Sequence, residues 1–196
     1  ESRWTFFNSG YSRGLAAKLC GRELVNSSVV GCGVPLEDIV TAPDRRTARA
    51  ELGWDERPVM LTVSRVILRK GIDTTIDALR SVLKTCPDCR YIIAGEGPDR
   101  QILERQAGDW GLTKQVQFLG RVSEEMKRKL YLASSLYVMP SRAGEAGETE
   151  GFGISFLEAN AHGLAVIGSR AGGIPDAVGH DENGLLVEPH DPVGLA

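Results

Sequence analysis

Along most of the chain, short apolar and β-branched runs alternate with longer segments whose apolar residues recur every three or four positions. "VMLTVS" (Val59 to Ser64) is followed by "GIDTTIDALRSVLKTC", where Ile72, Ile76, Leu79 and Leu83 share one helical face. "YIIAG" (Tyr91 to Gly95) precedes "PDRQILERQAGDWGL", and "VQFLG" (Val116 to Gly120) precedes "SEEMKRKLYLASS". "LYVMP" (Leu136 to Pro140) precedes a polar loop and then "FGISFLEANAHG", and "AVIGS" (Ala165 to Ser169) and "GLLVEP" (Gly184 to Pro189) close the series. Strand runs that are apolar throughout fit a sheet covered on both faces. Six such strands alternating with helices predict parallel β-α-β units, an α/β fold with a doubly wound, Rossmann-like parallel sheet. In such sheets ligands bind beyond the carboxyl ends of the strands, so functional side chains belong in the strand-to-helix loops.

Before Val59 the rhythm differs. "WTFFNS" reads as a strand, "YSRGLAAKLCGR" as a short helix and "SSVVGCGVP" as an extended lead-in, while "TAPDRRTARAELGW" is polar with a short helix at its end. "HDPVGLA" looks like the first turn of another helix, so the chain is expected to begin and end in mid-fold. Its 196 residues are enough for one sizeable domain. A net charge of -3 argues against binding through bulk positive charge, and no nucleic-acid partner is expected. With no apolar run of membrane length and no signal-peptide pattern, the expected location is cytoplasmic. Of Cys20, Cys32, Cys86 and Cys89, only the last two have redox or metal spacing. "CPDC" lacks a second such pair or a His pair, so a structural role is expected.

The loops carry the candidate chemistry. "RVILRKG" puts Arg65 and Lys70 after the first strand of the series, where a guanidinium and an ammonium can grip a polyanion. "GEGPDR" places Gly95 and Glu96 after the next strand, but Arg100 stands where a dinucleotide fingerprint needs its third glycine. No "GxxxxGK[ST]" occurs, which excludes a P-loop. "RVSEEM" exposes backbone at Arg121 and Val122 before a Ser123 helix cap. "SRAGEAGETEGFG" is long for an α/β connection and leads into a helix starting near Gly153. Unpaired amides at that start favour an anion, and Gly151 and Gly153 carry no side chain to block it. Glu150 and Glu158 flank this turn, which suits a diphosphate with hydroxyl-rich rings on either side: Glu158 for a ribose diol, Glu150 for a transferred sugar. Without a ligand, Phe152, Ile154, Phe156 and Leu157 would simply build a core helix.

"EGFGISFLE" resembles the E-x7-E signature of retaining GT-B glycosyltransferases, group 1 and of the family 4 type, which include bacterial mannosyl- and glucosyltransferases and sucrose synthase. "VSRVILRKGIDTTIDAL", "YIIAGEGPDRQILE", "VQFLGRVSEEMKRKLY", "LYVMPS" and "AGGIPDAVGHDENGLLVEPHDPVGLA" resemble that family's donor domain in its own order. The resemblance implies the C-terminal half of a GT-B enzyme: residues 29–196 as a nucleotide-sugar donor-binding domain without the terminal crossover helices, and 1–28 as a remnant of the N-terminal acceptor domain and linker. It implies a retaining hexosyltransferase, inactive without its acceptor domain. Arg65 and Lys70 would hold the donor diphosphate and Glu150 the donor sugar. Phe152, Gly153 and Ile154 would meet phosphate and sugar through backbone, and Glu158 would bind ribose. Val122 would contact the base, with Gly95 and Glu96 beside it. A UDP- or GDP-sugar is the expected substrate, with no cofactor and no metal. The acceptor is left open, as a glycan, a lipid or a small molecule. Any peripheral membrane contact, at the cytoplasmic face, would be made through the missing domain.

The chain also departs from the family. "VVGCGVP" stands where an Asn-Gly pair is usual, and the loop before Glu150 carries the extra acids Glu145 and Glu148. His162, His180 and His190 are expected to be surface or packing residues, not the histidine of the family's acceptor domain. A nucleotide-sugar-binding module without catalysis is the alternative. An epimerase of the same fold would want further acid/base residues that the sequence does not supply.

Overall fold

The computed structural model describes residues 4–35 and 44–196. Six strands form one parallel sheet, and two further strands form a separate parallel pair. In chain order, the pair consists of β1 (Thr5–Phe7) and β2 (Ser27–Val29), joined by α1 (Gly10–Cys20). Here the expected extended lead-in is in part a strand: Ser27 to Val29 pair with Thr5 to Phe7. The helix α2 (Arg45–Glu51) follows; Thr41 to Pro43, the start of the polar segment read as leading into it, lie outside the described residues.

The main sheet holds β3 (Val59–Val63), β4 (Arg90–Ala94), β5 (Val116–Gly120), β6 (Leu136–Met139), β7 (Val166–Ser169) and β8 (Leu185–Val187). Its order is β5-β4-β3-β6-β7-β8. The chain thus winds outward from β3 in one direction and then from β6 in the other. This places the topological switch point, where ligands of doubly wound sheets bind, between β3 and β6. The helices between strands are α3 (Ile72–Thr85), α4 (Arg100–Asp109), α5 (Glu124–Ala133), α6 (Ile154–Ala161) and α7 (Ile174–Ala177), with α8 (Pro192–Leu195) after β8. Of these, α7 has no counterpart in the periodicity, since four residues are too few to show one.

The six expected strands form within a residue or two of their expected ends. Both faces of the sheet are covered, which is why the strands are mostly apolar; the buried Thr62 is paired with the Tyr91 hydroxyl, and the exposed Gln117 lies on the edge strand β5. Val59 and Leu61 join the core with Tyr137, Phe156 and Val166, while Met60 joins the opposite core with Ile72, Ile76, Leu79 and Leu103. The period-two pleat sends neighbouring residues into different cores. Ser123 caps α5 as expected, its Oγ accepting from the Met126 amide at 3.1 Å.

Under the switch point, buried hydroxyls tie the layers together. The Tyr137 hydroxyl donates to the Val63 carbonyl at 3.3 Å and lies 2.7 Å from Ser155 Oγ. It thereby links β6, the end of β3 and the first turn of α6. The Tyr137 ring meets Phe156 edge-on, with centroids 5.4 Å apart. A buried hydroxyl is tolerated only where it is paired, and this pairing fixes the floor of the crevice.

Candidate functional site

Lys70 closes the 3-10 turn Leu68–Lys70 after β3, and Glu150 lies near the end of the loop after β6. The Lys70 ammonium donates to the Glu150 carboxylate across the switch point. Their side chains are only 14% and 17% exposed. The sequence reading gave these residues to different parts of a ligand; in the structure they are each other's partners. Arg65, in the same loop as Lys70, is exposed and has no side-chain partner among the described residues. One loop therefore offers a free guanidinium and a screened ammonium.

The turn before α6 has an internal reason for its glycine. Gly153 sits at φ 95°, and a Cβ there would lie 2.7 Å from the Phe156 ring. A side chain is excluded by the protein's own core, whatever binds above it. Phe152 and Phe156 are buried and Leu157 packs beside them, but Ile154 is 48% exposed. The core-helix alternative predicted burial at all four positions. Ile154 instead faces solvent in the first turn of α6.

Gly95 likewise faces protein. The space its side chain would fill is taken by the Ser64 carbonyl. The loops after β3 and β4 are zipped together there: the Val66 amide donates to the Glu96 carbonyl at 2.9 Å, and the Asp99 amide to the Val66 carbonyl at 3.3 Å. The close backbone approach that the glycines permit is therefore between two loops. The Glu96 side chain is exposed, and Val122 is half-buried against the core that holds Phe156.

Glu158 points between α5 and α6. Lys127 donates to its Oε1 at 2.9 Å and the Tyr131 hydroxyl to its Oε2 at 2.8 Å. Each oxygen keeps a second lone pair for a further donor. Lys127 also pairs with Glu124 at 2.7 Å. Burial lowers the Lys127 pKa, but the hydrogen bonds to Glu124 and Glu158 outweigh it and leave the net shift upward. Burial pushes the Tyr131 hydroxyl well above its ordinary value, and neighbouring Tyr137 and Glu158 push it further. It stays protonated and donates. Lys127, Tyr131, Glu158 and His162 line a cavity of about 190 Å³ together with Val34 and Pro35; Glu150 is not part of its wall. His162 stacks on Tyr131 with centroids 5.5 Å apart, a packing role.

Lys127 and Tyr131 were absent from the sequence reading. Their four-residue spacing puts them on one face of α5, which is a sequence signal, but nothing in the chain says that this face meets Glu158. The same holds for Arg142 in the loop after β6, whose guanidinium forks onto Asp73 with two bonds of 2.7 Å. Cys86 and Cys89 are free thiols, and burial pushes Cys89 up to about 11. Among the described residues, no group of three His, Cys, Asp or Glu could hold a metal ion, and no helix is long and apolar enough to cross a membrane.

With this geometry in view, comparisons with known proteins place the chain. The sequence model for "Glycosyl transferases group 1" matches residues 44–196. A GDP-mannose-dependent alpha-(1-6)-phosphatidylinositol monomannoside mannosyltransferase of Mycobacterium tuberculosis is 38% identical over 146 residues, covering 72% of this chain and 38% of that protein. The alpha-D-kanosaminyltransferase of Streptomyces kanamyceticus is 30% identical over 153 residues, covering 78% of this chain and 38% of its own length. The chain thus spans about two fifths of these relatives. Among solved structures, Anabaena HepE in complex with UDP-glucose superposes with a TM-score of 0.83 at 28% identity, over 100% of this chain and 52% of HepE.

Proposed function

The chain belongs to the group 1 glycosyl transferases, and from that premise we propose that it is the donor-binding domain of a retaining glycosyltransferase, taking a sugar from a nucleoside diphosphate. The observation that carries this reading is the Lys70–Glu150 pair at the switch point. Lys70 is the ammonium that a diphosphate would claim, and Glu150 the carboxylate that sugar hydroxyls would claim. Paired as they are, each neutralises the other, which lowers the cost of burying them. A bound donor replaces one ion pair with two sets of charge-assisted hydrogen bonds.

The remaining roles follow from position. Arg65 meets the diphosphate, aided by the dipole at the start of α6. The exposed Ile154 and the backbone of Phe152 and Gly153 line the sugar side. Glu158, held by Lys127 and Tyr131, receives the ribose diol. Val122 offers backbone to the base, with Gly95 and Glu96 beside it. Glu150 and Glu158 are the two acids of the E-x7-E signature, and retention is the stereochemistry that the signature brings. Fixed positive charge stabilises the leaving diphosphate, so no metal is required. GDP-mannose is named for the mycobacterial relative and UDP-glucose for the HepE complex, which supports these two donors as the first to test. The exposed Trp4, Phe6 and Leu19 of the β1–α1–β2 unit support its assignment to an acceptor lobe. Any membrane contact would be made through that lobe, at the cytoplasmic face.

Calorimetry with GDP, UDP, GDP-mannose and UDP-glucose tests the reading. One diphosphate and its sugar nucleotide should bind. Glu150→Gln should tighten the bare diphosphate, because it releases Lys70, and should remove the extra affinity supplied by the sugar. Absence of binding by all four compounds would sink the proposal.

A further inference from the structure

The Glu150 backbone is held from two sides. On one side lies the turn before α7, where the Gly173 amide donates to the Glu150 carbonyl at 2.8 Å. Gly172 and Gly173 approach the carbonyls of Glu150 and Gly151 so closely that a Cβ on either would overlap them. On the other side lies the start of α1. Thr149 Oγ1 donates to the Tyr11 hydroxyl at 2.7 Å, and Ser12 Oγ to the Gly151 carbonyl at 3.4 Å. Asp176 on α7 closes the triangle by accepting the Tyr11 amide at 3.1 Å. That amide is one of the first-turn donors that a helix leaves unpaired, and a carboxylate there is also favoured by the helix dipole.

The contacts from α1 and from the turn before α7 converge on the residues around one carboxylate, and Tyr11 reaches both Thr149 and Asp176, 138 and 165 residues further along the chain. The rest of α1 is attached differently. None of its residues is buried, and Leu15 and Leu19 are 41% and 80% exposed. Its N-terminal turn thus meets the Glu150 loop through polar contacts, which can break and reform, and not through a shared apolar core. A displacement of the β1–α1–β2 unit relative to the main sheet would pull first on Thr149 and Gly151.

We infer that the start of α1 is a latch for Glu150, with Tyr11 and Asp176 as positioning residues that hold its loop in the geometry that recognises the donor sugar. The inference rests on the donor-site reading above. The latch acts through Glu150, whose partner is Lys70. Its loss should therefore lower the affinity that the sugar adds, while the bare diphosphate keeps its affinity or gains some as Lys70 is freed.

Two measurements on the full chain test it. In calorimetry, Tyr11→Phe and Asp176→Ala should each lower the ratio of GDP-mannose to GDP affinity, or of UDP-glucose to UDP affinity, by about fivefold, the scale of one lost hydrogen bond. Asp176→Asn keeps an acceptor oxygen in nearly the same place and should recover part of the ratio. In hydrogen exchange of the free chain, the same variants should speed exchange at residues 149–153 and leave the amides of β3 and β4 as they were. Equal weakening of diphosphate and sugar nucleotide, or unchanged exchange at 149–153, would overturn the latch. If the wild-type chain bound none of the four nucleotides, the donor-site reading would fall, and exchange alone would decide whether the latch exists.

Discussion

Glu158 is the most heavily supported of the candidate acids, and its support has a pH signature. The Lys127 pKa is raised in the folded chain, against the effect of burial, by hydrogen bonds to Glu124 and Glu158. A raised ammonium contributes stability fully below its unfolded pKa and loses it as pH rises through the folded value. The stability difference between wild type and Lys127→Met should therefore shrink above about pH 10.4, which urea melts across a pH series will show. Arg65, exposed and without a side-chain partner among the described residues, makes a cleaner probe of phosphate. Arg65→Ala should weaken a nucleoside diphosphate by about tenfold to a hundredfold and the nucleoside hardly at all. Cys89 is a control of another kind. Its thiol is pushed up to about 11 by burial, so iodoacetamide at neutral pH should label exposed Cys20 well before it. Mass spectrometry of timed samples checks the order; early labelling of Cys89 would reopen a reactive role for "CPDC".

The start of α6 shows how an element can be set by packing and still serve a site. Gly153 adopts φ 95°, which costs an L-residue about 1–3 kcal/mol. The Phe156 ring occupies the position its Cβ would take. Gly153→Ala should thus lower stability in urea denaturation by about 2 kcal/mol or more, with loss of donor binding as the turn shifts. Phe156→Ala, at a fully buried position, should cost about 3–5 kcal/mol. Ile154→Ala is the informative contrast. Because Ile154 is exposed, the substitution should leave stability within about 0.5 kcal/mol, and a larger loss would mean that the residue is part of the core after all.

The molecule as a whole is organised around the point where the sheet reverses its winding. Strands β3 and β6 are neighbours there, and the loops that follow them deliver Lys70 and Glu150 to each other. On the proposed reading, fixed charge of this kind takes the place of a metal ion in holding the diphosphate. Binding of GDP or UDP should survive EDTA, and a tenfold loss of affinity on chelation, read by calorimetry, would show that a metal is required.

Much of this was legible in the chain. The apolar runs give the strands, because a strand buried on both faces has no polar position to spare, and six of them fall where the pattern puts them. The β-α rhythm gives the parallel winding, because a crossover must return the chain to the same edge. The loops bearing Arg65, Lys70 and Glu150 are then known to lie on one side of the sheet. Strand order is another matter. The rhythm is equally regular whichever way the chain turns after β5, so only the folded sheet reveals β3 beside β6 and Lys70 against Glu150. The reasons for the glycines are also tertiary. Gly95 and Gly153 look open in a sequence that shows no neighbours, yet Ser64 and Phe156 fill the space beside them. Lys127 and Tyr131 on Glu158, and Tyr11 and Asp176 around Glu150, are meetings between segments with no periodicity in common. Local pattern fixes which elements form, since it reports burial one element at a time. Which side chains meet depends on how the elements pack, and no single segment carries that information.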